Sequence, residues 1–382
     1  MSKALVVANL AGFASFLIND MELLQTMGYQ VFFAANANVL EWGDTRKKLE
    51  NLGVEFIQVD FDSQNPINKN NIEAYKQIKR LLKIYKFDFV HCHTPIAGLV
   101  TRMACRRYRK RGLKVAYTTH GFAFTSNSSK KTWLVYNTLE KFASRYCDTM
   151  ITINREDFNN AKKMKCQNVY YINGVGVDTQ LYRNVQIDRQ EYRKQLGISD
   201  DQIMILSVGE LSERKNHVVI VDAIAELQDN HKYVYVICGN GINGGTGEML
   251  RQRALDKGVQ LKLLGFRFDI PEITYCSDIG AIPSKREGLG LAGVQSLAAG
   301  VPLVGTDVQG IRDYIIDGQT GYLCKATDVK GFASTIDLLA KLHGEKRKIV
   351  ANQCREVAQN FDVSVSKKQM KKIYKTLLKS ES

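Results

Sequence analysis

The stretch "PSKREGLGLAGVQSLAAGVPLV", Pro283 to Val304, decides how the chain is read. It passes from a strand-like end through a glycine turn, Gly288-Leu289-Gly290, into an apolar helical run and then the strand-like "PLVGT". A strand, a tight turn, a helix and a second strand make one unit of a parallel sheet. A single acid, Glu287, stands directly before the turn. If "LGLAGVQSLAAG" is a helix, the amides of Gly288, Leu289 and Gly290 lie at or near its start, where their dipoles suit a phosphate oxygen. Glu287 would repel that phosphate, so its useful work lies elsewhere, such as accepting hydrogen bonds from sugar hydroxyls. Gln295 follows eight residues later, about two helical turns on the same face, within reach of a ribose.

Outward from this stretch the same rhythm repeats. Toward the N-terminus come "QIMILSVGEL", "HVVIVDAIAELQ", "YVYVICGNG", "GEMLRQRALDKG", "LKLLGF", "IPEITYCS" and "DIGAIPS". An earlier series runs "ALVVANL", "SFLINDMELLQTMGYQ", "VFFAAN", "TRKKLENLG", "EFIQVDF", "NIEAYKQIKRLLKIYKF", "DFVHCH", "AGLVTRMACRRYR", "KVAYTTHG", "TWLVYNTLEKFASRYC", "TMITIN" and "VYYING". Strands alternating with helices imply parallel sheets covered on both faces. The expected fold is therefore α/β, with two Rossmann-like doubly wound domains at 1–180 and 181–360. A terminal amphipathic helix, 361–382, either packs back on a domain or lies on a membrane surface; Met370, Ile373, Leu377 and Leu378 form its apolar face. Such domains bind ligands at the carboxyl ends of their strands, and two of them can face each other across a cleft.

Among the 382 residues, 53 are Lys or Arg and 39 Asp or Glu, a formal charge of +14. That surplus favours anionic partners: nucleic acid, lipid headgroups or phosphorylated substrates. No nucleic-acid recognition motif accompanies the basic runs, so nucleic acid is not expected. No run of about 18 apolar residues suggests a membrane span, and "MSKALVVANLAGF" fits a first strand better than a secretory signal. The eight cysteines include no CxxC pair and read as reduced and buried. "HCH" (His91, Cys92, His93) raises a metal reading, against which stands the alternation of side chains along a strand. No metal ligand is assigned.

Three further segments sit at strand ends. "ANLAGFASF" places Gly12 where backbone amides could approach a phosphate, or where a simple turn is needed. "AYTTHGF" ends on His120, suited to a hydroxyl or to developing charge, or else bonded to a nearby carbonyl. "SVGELSERKNH" carries Arg214 and Lys215, natural partners for a diphosphate or members of a solvated basic turn.

Taken in order, these segments resemble the GT-B glycosyltransferases of the large retaining family numbered four, over essentially the whole chain. "GELSERK" stands where the family has a "GRL…K" segment, and "GNG" (Gly239 to Gly241) where it has GxG. "LGF" with "DIPEITYCSDIGAIPS", the E-x7-E segment at Glu287 to Gln295, and "PLVGTDVQGIRDYIIDGQTGYL" complete the series. The resemblance implies a nucleotide-sugar donor bound mainly by the C-terminal domain. Lys215 with Arg214 would contact its diphosphate, joined by the amides of Gly288, Leu289 and Gly290. Glu287 would bind sugar hydroxyls, Gln295 the ribose, and the Gly239 and Phe266 region the base. In the N-terminal domain, His120 would stand near the transferred sugar and Gly12 near the phosphates. Two positions depart from the pattern: the motif's second glutamate is Gln295, and the arginine after the strand-end glycine is Glu210.

"YTTHGFAFTS…KTWLVYNTLEKFASRYCDTMITINREDFNNAKK" is similar to a bacterial subgroup that assembles capsular and exopolysaccharide repeat units. This implies a UDP-sugar donor carrying a hexose or N-acetylhexosamine and a polyprenyl-diphosphate-linked acceptor. It also implies a peripheral place on the inner face of the plasma membrane. The basic run Arg102 to Lys114 and the lysine-rich terminal helix would suit that anionic surface, at roughly 1 kcal/mol per cation. The implied reaction retains anomeric configuration and needs neither metal nor cofactor beyond the donor itself. A soluble-acceptor transferase, a nucleotide-sugar epimerase and a non-enzymatic basic binding protein are the alternatives.

Overall fold

Ser2–Leu10 buries Ala4 through Ala8 completely, the burial expected of a strand with helices over both faces. In the computed structural model, which describes residues 1–38, 42–62, 65, 68–241 and 244–378, this is β1 of a seven-stranded sheet. Its other strands are β2 Tyr29–Asn36, β3 Glu55–Gln58, β4 Phe89–His93, β5 Lys114–Thr119, β6 Thr149–Thr152 and β7 Asn168–Tyr171. The order is β3-β2-β1-β4-β5-β6-β7, with all pairings parallel. A second sheet comprises β8 Ile203–Val208, β9 Tyr233–Cys238, β10 Gln260–Gly265, β11 Ile279–Ile282, β12 Leu303–Thr306 and β13 Gly321–Cys324. Its order is β10-β9-β8-β11-β12-β13, again parallel. Strand order reverses between β1 and β4 and between β8 and β11. Chains leaving these strands diverge to opposite faces there and open a crevice at the carboxyl ends. Two Rossmann-like domains result.

The first compact unit is Met1–Gly176 with Ser364–Ser382; the second is Val177–Val363. The terminal helix, Val363–Leu378, buries Met370, Ile373, Tyr374 and Leu377, and Tyr374 places its hydroxyl 2.7 Å from His91 Nδ1 within the first unit. This corrects the alternative of an apolar face laid on a membrane, because that face is already packed. Residues 379–382 of this segment lie outside the described residues. Among the described residues no helix is long and apolar enough to cross a membrane. All eight cysteines are free and buried.

The basic run Arg102 to Lys114 is not one surface. Arg102 is fully buried and paired with Glu140 at 2.7 Å. Its guanidinium lies 3.8 Å from the centre of the Tyr117 ring, and its Nε donates to the Gly98 carbonyl. Arg109 is tied to Asp148 at 2.5 Å. A buried cation needs its partner more than it needs lipid.

Candidate active site

In the second unit the ends of β8, β9 and β10 are laced together by backbone bonds. Gly209 N donates to the Cys238 carbonyl (2.8 Å), Leu211 N to that of Asn240 (2.8 Å) and Gly239 N to that of Gly265 (2.7 Å). The approach is so close that a Cβ on Gly239 would lie 1.8 Å from the Gly209 oxygen. Gly239→Ala must therefore push two strand ends apart. We expect a loss of about 1–3 kcal/mol in urea unfolding, as for other overpacked sites. Unchanged unfolding would mean that the two turns are free to separate.

The segment after Gly209 folds back over β11. Asn216, in the left-handed region at φ +57°, donates through Nδ2 to the carbonyls of Pro283 (3.1 Å) and Ala326 (2.9 Å). This anchoring sets two cations over Glu287. Lys215 Nζ lies 2.9 Å and Arg214 Nη1 3.2 Å from the same oxygen, Glu287 Oε2. Arg214 Nη2 reaches Glu210 Oε1 at 2.9 Å. Thus Glu210, which replaces the resemblance's arginine, becomes the second anchor of Arg214. Burial pushes the Glu287 carboxyl up, but Lys215, then Arg214, and a bond from Ser284 hold it below the usual carboxylate range. It stays ionised with its side chain only 14% exposed.

Beyond Glu287 the glycine turn ends at Gly290, which adopts φ +80° as the residue before the helix Leu291–Ala299. Tyr314, wholly buried, donates its hydroxyl to the Gly290 carbonyl at 3.2 Å. A Cβ at Gly293 would lie 2.3 Å from that hydroxyl, and one at Gly310 2.2 Å from the Gly288 oxygen. Tyr314 and Gly310 therefore form the bed on which the turn rests. The helix begins at Leu291, so the amides of Gly288, Leu289 and Gly290 belong to the turn. Glu287 stands outside the helix, and Gln295 is one turn into it rather than two turns along a shared face; Gln295 is half-buried. Phe266 follows Gly265 beside Gly239. Its ring is 63% exposed and meets the exposed Phe268 edge-on at 5.0 Å.

In the first unit a six-residue 3-10 turn, Ala11–Phe16, follows β1, and the α-helix starts only at Ile18. The helix expected directly after Gly12 is thus displaced by one turn. A Cβ at Gly12 would meet only the Trp42 Cβ, at 4.0 Å. The next residue, Phe13, packs edge-on against His120 with ring centres 4.7 Å apart. His120, just past β5, shares a hydrogen bond with His93, at the end of β4, over 3.1 Å (Nε2 to Nδ1). His91, on the same face, bonds Tyr374 through Nδ1 and Thr118 through Nε2, each at 2.7 Å. His93 Nε2 is buried without a partner. Asp20, His91 and His93 offer one ligand atom each within 4.8 Å of one another, although both ring nitrogens of His91 are already hydrogen-bonded.

Burial lowers His91 and His120 to about 3, His217 to about 4, and His93 well below its ordinary 6.5. These rings stay neutral in the fold but take up protons once unfolded below pH 6.5, so their contribution is complete above 6.5 and lost toward acid. Asp20, raised to about 7 by burial, acts oppositely between pH 3.8 and 7. Four histidines outweigh one carboxyl, each contributing about 1 kcal/mol at pH 5.5. The melting temperature is expected to fall between pH 7.5 and 5.5; a flat or rising profile would refute neutral burial.

Two family models match the chain: Glycosyl transferases group 1 over residues 188–357 and Glycosyltransferase Family 4 over residues 12–180. The putative glycosyltransferase EpsD of Bacillus subtilis (strain 168) is 32% identical over 369 residues, covering 95% of this chain and 93% of EpsD. The chain belongs to the GT-B glycosyltransferases. A second relative of this glycosyltransferase is the UDP-Gal:alpha-D-GlcNAc-diphosphoundecaprenol alpha-1,3-galactosyltransferase of Escherichia coli, 28% identical over 80% of this chain and 81% of that one. Among solved structures, Anabaena HepE in complex with UDP-glucose superposes with a TM-score of 0.80 at 20% identity, covering 99% of this chain and all of HepE. WaaG, a glycosyltransferase involved in lipopolysaccharide biosynthesis, superposes at 0.74 with 16% identity, over 99% of this chain and all of WaaG.

Within the glycosyltransferase's second domain, the fold brings Arg214, Lys215, Glu287 and the glycine turn into one group, and Gly239 beside Phe266. In the first it joins the Gly12 turn to His120. Tyr314 and Gly310 were not singled out by sequence reasoning, and His93 was weighed only as part of a metal reading that was then set aside. The available signals were "GIRDY" and "HCHTP", neither of which says what it will touch.

Proposed function

We propose that this glycosyltransferase moves a hexose or N-acetylhexosamine from a UDP-sugar to a polyprenyl-diphosphate-linked glycan, at the inner face of the plasma membrane, in polysaccharide repeat-unit synthesis. The observation that carries the reading is an ionised, mostly buried Glu287 held by Lys215 and Arg214 beside a glycine turn. A fixed carboxylate accepts hydrogen bonds from sugar hydroxyls. The ammonium and guanidinium retain further N–H donors for the diphosphate, and the glycine turn Gly288-Leu289-Gly290 places backbone amides beside them. Phe266 offers a ring face to the base near Gly239, and Gln295 an amide to the ribose. In the first domain, Gly12 leaves room for close approach, and a neutral His120 can donate to a sugar hydroxyl or accept from one. The Escherichia coli relative named above and the HepE complex support a UDP-linked donor, the diphosphoundecaprenol of that relative's name supports a lipid-linked acceptor, and a Klebsiella pneumoniae relative in a cps region supports polysaccharide assembly.

In this reading the bond from the anomeric carbon to the phosphate oxygen breaks as the acceptor hydroxyl attacks from the same side. The departing phosphate oxygen takes the hydroxyl proton, and UDP leaves. Lys215, Arg214 and the turn amides stabilise the charge that grows on the diphosphate, so the step calls on no metal.

Titration calorimetry with UDP, then with UDP- and GDP-sugars, tests this directly. Heat and a raised melting temperature with UDP are expected; neither with any nucleotide would remove the reading. Proton NMR of the product is expected to show the donor's anomeric configuration. A UDP-sugar changed without acceptor would point to epimerisation instead.

A further inference from the structure

The helix Lys130–Ala143 turns its only acid inward: Glu140 is buried against Arg102. Outward it shows Leu134 (63% exposed), Val135, Leu139 and Phe142, with Lys130, Lys131 and Lys141 interspersed, all exposed. At 3.6 residues per turn these seven side chains fall within about half the circumference. A water-facing helix ordinarily mixes charges of both signs and keeps large apolar side chains few. Here four large apolar groups and three cations share a face without one anion. The rim continues the pattern. Exposed Arg145 stands 5.7 Å from the Phe142 ring and exposed Arg106 5.8 Å from that of Tyr146.

We propose that this face docks the protein on an anionic lipid bilayer. Leucine, valine and phenylalanine enter the boundary between headgroups and acyl chains, while lysines and arginines extend to lipid phosphates. Charge selects this occupant. A second copy meeting the same face would set lysine against lysine, in a chain already at +14. Nucleic acid would find Leu134, Val135 and Leu139, three exposed aliphatic side chains, in the middle of a surface that must otherwise offer stacking rings and phosphate contacts. The proposal deepens the lipid-linked acceptor reading and rests on it for its purpose, while its geometry stands by itself. It also moves the membrane contact away from Arg102 and the terminal helix, where the sequence had placed it.

The test is co-sedimentation of the full chain with phosphatidylcholine vesicles, with and without phosphatidylglycerol. The protein is expected to sediment with the anionic vesicles and not with the neutral ones. Leu134→Gln with Phe142→Gln is expected to weaken binding at least ~tenfold. Lys131→Gln with Lys141→Gln should weaken it and reduce its salt sensitivity. Leu134→Gln alone, at the most exposed apolar position of the face, keeps the test valid if the double variant misfolds. Calorimetry with UDP, expected unchanged in all variants, reports the donor domain separately. Undiminished vesicle binding by the apolar variants, equal binding to neutral vesicles, or a dimer that these variants dissociate would each overturn the proposal. UDP binding without vesicle binding would sink the docking face and leave the donor reading intact; the reverse would do the opposite.

Discussion

Lys215→Ala is expected to reduce transfer by about a hundredfold to a thousandfold and to weaken UDP binding, with a melting temperature close to wild type. The size follows from what is removed. Lys215 is the shorter of the two cation contacts to Glu287, 2.9 Å against 3.2 Å, and its side chain is only 17% exposed. Arg214 cannot fully replace it, being 38% exposed and shared with Glu210. Removing one preorganised donor aimed at charge that grows on the leaving group commonly costs about 2.7–4 kcal/mol of barrier, the hundredfold-to-thousandfold range, while Arg214 still pairs Glu287 and so spares the fold. The carboxyl of Glu287 should rise as Lys215 is lost, which gives a second readout: the acid limb of the pH–rate profile moves upward. Glu287→Gln keeps the shape and removes the charge, so it should lose turnover more than UDP affinity. Arg214→Ala should fall between wild type and Lys215→Ala. A Lys215→Ala enzyme with wild-type turnover would show that the cluster is structural.

Glu140→Ala carries the other large effect, on folding. Arg102 has no exposed surface, and burial works against its charge; Glu140 is the largest opposing influence, and together with Tyr117 and two buried cysteines it more than offsets that burial. Removing the acid leaves a guanidinium against Tyr117 and the Gly98 carbonyl, with no anion. The expected loss is ~3–5 kcal/mol, read by urea or thermal unfolding. Arg102→Met with Glu140→Leu replaces both charges by apolar volume and should recover most of it. If Glu140→Ala unfolds like wild type, the pair contributes nothing and the orientation of Lys130–Ala143 must be set by other contacts. Because Glu140 is the inward pin of that helix, the same substitution is also expected to weaken vesicle binding.

Much of the architecture was legible in sequence. β1 and β9 read as strands because unbroken apolar residues are what two covered faces require. The turn at Gly290 and the cations after Gly209 could be placed at strand ends because glycine and charge interrupt those runs. Other features were not legible. Gln295 was set on the face of Glu287 because helical spacing was counted from a residue that lies before the helix. Arg102 was counted with its basic neighbours, although Glu140, 38 residues on, draws it inside. His93 and His120 share a hydrogen bond across 27 residues, and Tyr314 meets Gly290 across 24.

The sequence by itself determined the two α/β domains, their strand-end glycines and the kinds of side chain that gather there. Those properties depend on each residue's own backbone freedom and on neighbours within a turn or two. Tertiary structure alone decided which carboxylate holds which cation, which histidine leans on which, and which half of Lys130–Ala143 stays bare. Such pairings depend on where parallel crossovers deposit distant segments, and periodicity along the chain carries no record of that distance.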